Sequence, residues 1–199
     1  MFSGIVKSIG RIKKVQVKDN GRECIIVPNF VHLFEAGQSV LVSGICSTIT
    51  SVDKDELSFF YMAETLEKTN VLSWAQGQAI NIEPSLKIGN TLDGHFVFGH
   101  IDGKGRIERI IKSKDSWKCF LKAHRDIVDF FVVKGSVVLD GVSLTLIDVM
   151  DEDFSCALTP FTLKHTTFGL QEEGKEVNIE IDMLAKYVKK LCNKESQNV

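Results

Sequence analysis

The stretch SVLVSGICSTI, from Ser39 to Ile49, recurs as SVVLDGVSLTL, from Ser136 to Leu146. The offset between the two is 136 − 39 = 97 residues, and two further pairs share it: AETLEKTN (63–70) with PFTLKHTT (160–167), and INIE (80–83) with VNIE (177–180). Upstream, GIVKSIGRIKKV (4–15) matches GHIDGKGRIERI (99–110) at an offset of 95. Four matched segments in the same order indicate an internal duplication.

The duplication predicts two homologous domains, 1–94 and 95–182, followed by a C-terminal helix and tail, 183–199. In both copies the apolar runs are short, alternate with polar residues and are separated by turn sequences such as DNG (19–21), DKD (53–55) and DED (151–153). These features are typical of antiparallel hairpins. About six strands in each copy favour a closed barrel, because closure leaves no exposed strand edge. We therefore expect an all-β protein of two tandem six-stranded barrels, with short helices at 28–34, 65–73, 124–130 and 162–168.

Beyond the second copy, one apolar stripe at helical spacing predicts the C-terminal helix. Its members are Met183, Leu184, Tyr187, Val188, Leu191 and Cys192.

Composition excludes several classes of protein. The 24 Lys and Arg against 26 Asp and Glu give a net charge of −2, which does not suit a nucleic-acid binder. The five cysteines are odd in number and contain no Cys-x-x-Cys pair, so neither a disulfide framework nor a structural zinc site is expected. No segment resembles a signal peptide or approaches the roughly 20 apolar residues of a membrane span. We expect a cytoplasmic protein with no membrane partner.

Positions that match between the copies are most simply structural. Gly4 with Gly99 and Gly44 with Gly141 predict tight turns or close backbone approaches. The matched pairs Asn81/Asn178 and Glu83/Glu180 predict hydrogen-bonding groups at strand ends or turns.

Positions that differ between the copies are the candidates for chemistry: Cys46 against Ser143, Ile5 against His100, and Ser85 against Asp182. Each residue alone has a structural explanation, since Cys46 suits a core, His100 a satisfied buried imidazole, and Asp182 a helix N-cap. Together they supply a thiol, a hydroxyl, an imidazole and a carboxylate, which suits proton transfer and nucleophilic addition. His95 and His100 raise a metal hypothesis, but their spacing fits no common helical ligand pair, and we expect no metal.

Six segments carry a resemblance to a known family: MFSGIV (1–6), SGICSTIT (43–50), DGHFVFGHID (93–102), KGSVVLDGVSLT (134–145), TLKHTTFG (162–169) and VNIEID (177–182). Over nearly its whole length the chain resembles the riboflavin synthase family of the lumazine-dismutating, two-barrel type. The resemblance implies Greek-key barrels, a homotrimer joined by its C-terminal helices, and no cofactor. It also implies the reaction, in which two molecules of 6,7-dimethyl-8-ribityllumazine exchange a four-carbon unit to give riboflavin and 5-amino-6-ribitylaminouracil. An association with lumazine synthase stays open.

The resemblance also implies site residues, with two lumazines held between the first barrel of one subunit and the second barrel of the next. We expect His100 with Ser143 and Thr145 to take a proton from the C7 methyl of the acceptor lumazine. Ser39 and Cys46 are the candidate nucleophiles toward the donor, and Asp182 would orient an imidazole or hold a ribityl hydroxyl. The residues expected to line the substrate are Phe2, Gly4, Ile5, Val6, Thr48, Thr65, His95, Gly99, Lys134 and Thr162.

Three positions depart from the family pattern: Ser43, Ser47 and Phe98 stand where the family commonly has Asn, Leu and a small or polar residue. Three alternatives to a synthase also remain. Lumazine proteins keep the double barrel and carry a single chromophore as an optical antenna, a cysteine hydrolase would pair Cys46 with His95 or His100, and a purely structural trimer would need only the C-terminal helix.

Overall fold

The computed structural model describes residues 1–114 and 116–195, and its strands form two closed barrels. The first barrel contains β1 (Ser8–Lys18), β2 (Gly21–Val27), β3 (Ser39–Val42), β4 (Ile45–Asp53), β5 (Glu56–Met62) and β6 (Ala79–Pro84). The second contains β7 (Gly103–Lys112), β8 (Trp117–Ala123), β9 (Ser136–Leu139), β10 (Val142–Met150), β11 (Asp153–Leu158) and β12 (Glu176–Ile181).

Both barrels have the same Greek-key order. In the first, the neighbours around the barrel are β1-β2-β5-β4-β3-β6, and the second repeats this order with β7 to β12. All pairings are antiparallel, and the predicted turn sequences at 19–21, 53–55 and 151–153 join β1 to β2, β4 to β5 and β10 to β11. The all-β fold of two tandem six-stranded barrels is therefore confirmed.

Short helices lie between strands of each barrel, and a longer one ends the described chain. They are α1 (Ala63–Lys68), α2 (Arg125–Val128), α3 (Pro160–His165) and α4 (Met183–Glu195), with 3-10 turns at Asn70–Ser73 and Thr167–Leu170. The helix expected at 28–34 is wrong, since this segment has no regular secondary structure. Its rings at Phe30, His32 and Phe34 lie two residues apart and pack on one another instead, with centroids 4.4 to 5.9 Å apart. No helix among the described residues is long and apolar enough to cross a membrane.

Each barrel has its own core of inward-facing aliphatic side chains, because the strands alternate buried and exposed positions. The segment before each barrel packs on the other barrel. Val6, ahead of the first barrel, packs on the core of the second, and Ile101, ahead of the second, packs on the core of the first. A third small core, containing Phe2 and Val97, lies between the barrels. The two barrels are thus joined into one unit by these two segments, residues 2–7 and 97–102, which we call the exchanged segments.

Candidate functional site

The outward faces of β4 and β10 carry the candidate polar groups. On β10 the side chains of Val142 and Leu144 are buried in the barrel, while the alternate residues Ser143 and Thr145 are partly or fully exposed. On β4, Cys46 and Thr48 occupy the equivalent outward positions. Strand alternation therefore places both candidate surfaces on the outside of the barrels, where a ligand or another chain has access.

The exchanged segments lie directly on these surfaces. The backbone N–H of Ser143 donates to the carbonyl of Gly4 at 2.8 Å, and that of Cys46 donates to the carbonyl of Gly99 at 2.9 Å. Both glycines have positive φ, +77° and +76°. A Cβ on Gly4 would lie 2.7 Å from the Ser143 Cβ, and one on Gly99 would lie 2.5 Å from the Cys46 nitrogen. The close approach predicted for these glycines is confirmed.

Two buried glutamates hold the exchanged segments in place. The carboxylate of Glu83 accepts from the Ser3 N–H at 2.8 Å, the Ser3 hydroxyl at 2.8 Å and the Gly4 N–H at 3.0 Å. Glu180 accepts from the backbone N–H groups of Phe98 at 2.7 Å and Gly99 at 2.8 Å. Burial raises the pKa of Glu180 to about 7, and these N–H donors oppose that effect. The matched glutamates therefore bond loops, as the duplication predicted.

A close side-chain pairing at the second-barrel surface joins His95 and Ser143. Nδ1 of His95 lies 2.8 Å from Oγ of Ser143. Nε2 of the same ring is buried and has no hydrogen-bond partner among the described residues. An imidazole with one nitrogen bonded to a hydroxyl, and the other without a partner among the described residues, is equipped to move a proton.

The charge state of His95 follows from its surroundings. Burial lowers the pKa of His95, and the carboxylate of Asp182 raises it to a smaller extent. The imidazole is therefore neutral at neutral pH and able to accept a proton. Asp182 also begins α4, because its Oδ1 accepts the N–H of Leu184 at 3.0 Å. The helix-cap explanation and the proximity to an imidazole both hold for this residue.

The imidazole expected beside Ser143 was that of His100, but within one chain the imidazole that bonds Ser143 is that of His95. His100 follows Gly99 in the segment that lies on Cys46, so it belongs to the first-barrel surface, where it is exposed. Sequence position alone did not reveal the exchange of segments that brings His95 to the second barrel and His100 to the first.

One domain family matches this chain twice. The family described as the lumazine binding domain matches residues 3–85 and again 98–182. Riboflavin synthase of Brucella abortus is 36% identical over 198 residues, covering 96% of this chain and 98% of that protein. Riboflavin synthase of Actinobacillus pleuropneumoniae is 31% identical over 197 residues, covering 98% of this chain and 91% of that protein. The chain belongs to the riboflavin synthase family. It is an enzyme of this type.

Solved structures with the same fold are those of LumP. The crystal structure of LumP complexed with riboflavin superposes with a TM-score of 0.84 at 24% identity, covering 91% of this chain and 99% of that chain. The complex of LumP with 6,7-dimethyl-8-ribityllumazine gives a TM-score of 0.82 at 23% identity, with the same coverage. At this identity the likeness establishes the double-barrel fold.

Several residues that the riboflavin synthase pattern nominated lie around these surfaces. Ser39 on β3 pairs directly with Thr48 on β4, beside Cys46, and Lys134 precedes β9 with its side chain exposed and φ at +71°. Ile5 is half-buried in the segment that lies on Ser143.

The other nominated residues lie farther from the paired groups. Thr65 lies in α1 and Thr162 in α3, both half-buried, and their carbonyls accept hydrogen bonds from Thr69 and Thr166. Phe2 is fully buried between the barrels, so its ring presents no face to a ligand, and it anchors the exchanged segment.

The departures from the riboflavin synthase pattern have local structural consequences. Ser43 forms a left-handed turn with φ at +41°, a conformation that Asn tolerates well. Ser47 points into the barrel and its Oγ lies 3.0 Å from the Tyr61 hydroxyl, so it does not face the site. Phe98 bonds Glu180 through its backbone, and its ring lies 6.2 Å from that of His100.

Within 1–114 and 116–195, no three His, Cys, Asp or Glu side chains come together in a group that could hold a metal ion. His95 bonds Ser143 instead of Cys46, which does not suit a cysteine hydrolase using that histidine. The arrangement suits proton transfer at the second barrel and a thiol and hydroxyl surface at the first.

Proposed function

We propose that the chain is a riboflavin synthase in activity: it converts two molecules of 6,7-dimethyl-8-ribityllumazine into one riboflavin and one 5-amino-6-ribitylaminouracil. The four-carbon unit that one lumazine loses is the one that the other gains, so no further reactant is needed. Membership of the riboflavin synthase family supports the reaction. The duplication supports the use of two like ligands in one reaction.

The observation that carries the proposal is the contact between His95 Nδ1 and Ser143 Oγ. The acceptor lumazine must lose a proton from its C7 methyl group, which is acidified by conjugation to the ring carbonyls. We assign this proton to Ser143 Oγ, while the hydroxyl proton of Ser143 passes to Nδ1 of His95. The electron pair stays in the conjugated ring as an exomethylene anion. The lowered pKa of His95 supports this assignment, because a neutral imidazole can accept the proton.

The first barrel supplies the other half of the site in this proposal. Its outward face offers Cys46, Ser39 and Thr48, with His100 beside them, and no imidazole pairs there with a serine as His95 does with Ser143 among the described residues. The donor lumazine needs a nucleophile at its C7, which we assign to a hydroxyl, a thiol or water at this surface. Thr145 and Lys134 would hold the acceptor at the second barrel, and Thr65 and Thr162 the ribityl chains.

We further propose a homotrimer in which the first barrel of one subunit faces the second barrel of the next. Both candidate surfaces point outward, so each is accessible to a neighbouring chain. The helix α4 also exposes an apolar stripe, whose members are 59 to 63% exposed: Leu184, Tyr187, Val188 and Leu191. Such a stripe suits packing against its own copies. Holding the two lumazines face to face would contribute about 7–11 kcal/mol through orientation.

One assay tests the proposed function. The purified chain is incubated with 6,7-dimethyl-8-ribityllumazine alone, and riboflavin is followed by absorbance. We expect one riboflavin for every two lumazines consumed. Tight binding of the lumazine without any riboflavin would instead support the antenna function of lumazine proteins.

A further inference from the structure

A second difference between the copies is the charge of the residue near each buried glutamate, Glu83 in the first copy and Glu180 in the second. In the first copy, burial raises the pKa of Glu83, and the bonds from Ser3 and Gly4 oppose this rise, as does the charge of Lys7 on the exchanged segment itself. Its counterpart in the second copy is Asp102, and the backbone N–H groups of Lys7 and Asp102 make equivalent bonds, to Ile82 and Ile179. The residue near Glu180 is therefore acidic, Asp102, whereas the equivalent residue near Glu83 is basic, Lys7.

In the second copy the positive charge comes from Lys186, on the C-terminal helix α4. Nζ of Lys186 on α4 lies 2.7 Å from Oδ1 of Asp102, and Oδ2 of Asp102 accepts the N–H of Ile181 at 2.8 Å. Both side chains of the ion pair are less than a quarter exposed, unlike any other ion pair found within the described chain. Because both side chains are largely buried, the electrostatic attraction between them is stronger than that of a solvent-exposed ion pair.

The ion pair connects α4 to the first-barrel surface in three steps. Lys186 bonds Asp102 and acts electrostatically on Glu180, which binds the N–H groups of Phe98 and Gly99. The carbonyl of Gly99 in turn accepts the N–H of Cys46. The opposite face of α4 carries the exposed apolar stripe. A partner that docks on this stripe would therefore contact the same helix that carries Lys186.

We propose that Lys186 is a positioning residue that, through Asp102 and Glu180, holds the 98–101 segment against Cys46 and so couples the docking of α4 to the shape of the first-barrel half of the site. The proposal rests on the proposed function for its catalytic meaning. Its structural content is independent of any ligand. The second-barrel half is not coupled to α4 in this way, because the positive charge near Glu83 is that of Lys7. Lys7 lies on the same segment as Ser3 and Gly4.

Removing the charge has a defined consequence. In Lys186→Met, Glu180 keeps only the negative charge of Asp102 and the N–H groups of Phe98 and Gly99 around it. The pKa of Glu180 then rises further, the carboxylate takes up a proton near neutral pH, and its bonds to these two N–H groups weaken. The 98–101 segment should open more often, most strongly on the acidic side of neutrality.

The test is residue-resolved amide hydrogen exchange on the full chain without ligand, with assembly followed by light scattering. In Lys186→Met we expect the amides of Phe98, Gly99 and Cys46 to exchange about tenfold faster, since a charge-assisted bond is lost. The equivalent amides of Gly4 and Ser143 should not change. Lys186→Arg should restore wild-type exchange.

Lys189→Met is the matched control, because Lys189 lies on the same helix with its Nζ 3.9 Å from the ring centre of Phe130 and makes no bond to Asp102 in the described structure. The proposal is overturned if Lys186→Met leaves the three amides unchanged, if both copies loosen equally, or if Lys189→Met has the same effect. Should Lys186→Met fail to assemble, Asp102→Asn keeps α4 intact and removes the negative charge that raises the pKa of Glu180, so exchange at the three amides should begin to rise at a lower pH than in the wild type. A rise that begins at a higher pH would overturn the proposal. A chain that shows the expected exchange but forms no riboflavin would contradict the proposed function alone.

Discussion

The imidazole Nδ1 of His95 lies 2.8 Å from the hydroxyl oxygen of Ser143, although the two residues are 48 positions apart in the chain. Ser143 projects outward from a barrel strand, and His95 reaches it from the segment that joins the barrels. The contact gives the second barrel a polar pair that has no counterpart among the described residues of the first, where Cys46 occupies the position of Ser143.

Removing either member of this pair should disable proton transfer. We expect Ser143→Ala and His95→Gln each to lower the rate of riboflavin formation by about 10²–10⁴-fold, the usual contribution of a general base. The double variant should lose little more than either single one, because the two groups act as a unit. Multiplicative losses in single-turnover measurements would show that the two residues act separately.

The pH dependence of the rate should report His95. The neutral imidazole is the active form, so the rate rises as pH rises through its pKa, and burial places that pKa below the ordinary value of 6.5. Asp182→Asn removes the charge that raises the pKa while keeping a helix-capping side chain, so the acidic limb should move to lower pH. A limb that lies above 6.5, or that moves upward in the variant, would exclude His95 as the base.

The close approach of the exchanged segment predicts a specific effect of adding one methyl group. Gly4→Ala combines strain at φ +77° with a Cβ 2.7 Å from the Cβ of Ser143. Gly77→Ala has the same kind of strain, at φ +84°, with no neighbouring atom within 4 Å. We expect Gly77→Ala to lower the free energy of unfolding by about 1–3 kcal/mol with riboflavin formation retained. Gly4→Ala should lose more stability and most activity, and equal behaviour of the two variants would contradict this geometry.

The apolar stripe of α4 predicts the assembly. Val188→Asp places a charge in the stripe, and we expect the trimer to dissociate and riboflavin formation to fall with it, because an unpaired charge cannot be buried at an interface. Lys190→Asp, on an exposed position beside the stripe, should leave assembly intact. Deleting the chain from Met183 should act as Val188→Asp does. Unchanged size and activity in the deletion, measured by light scattering and absorbance, would contradict the helix-dependent trimer.

The duplication was visible in the sequence because barrel folding constrains both copies in the same way. Turn sequences such as 19–21 and glycines such as Gly4 have local physical causes, so their roles could be predicted from residue type and spacing. The irregular conformation of the segment at 28–34 could not be predicted in this way, because the packing of Phe30 and Phe34 against the first-barrel core depends on the tertiary fold.

The site was only partly predictable for a different reason. Ser143 and Cys46 were found because the copies differ there, but the partner of Ser143 depends on which barrel each connecting segment crosses. Sequence analysis missed one further difference between the copies. Asp102 is an acidic residue at the position that Lys7 occupies in the first copy. Its meaning required the distance to Lys186, which lies outside the duplicated region.

The shared site between unlike barrels of neighbouring chains is tested most directly by complementation. Thr48→Trp and Thr145→Trp fill equivalent exposed positions on the first and second barrels, and each variant alone should be inactive. When the two are co-expressed, about a quarter of all sites in randomly mixed trimers should combine an intact first barrel with an intact second barrel. We predict riboflavin formation at about a quarter of the wild-type rate. No recovery in mixed trimers would contradict a site built from two chains.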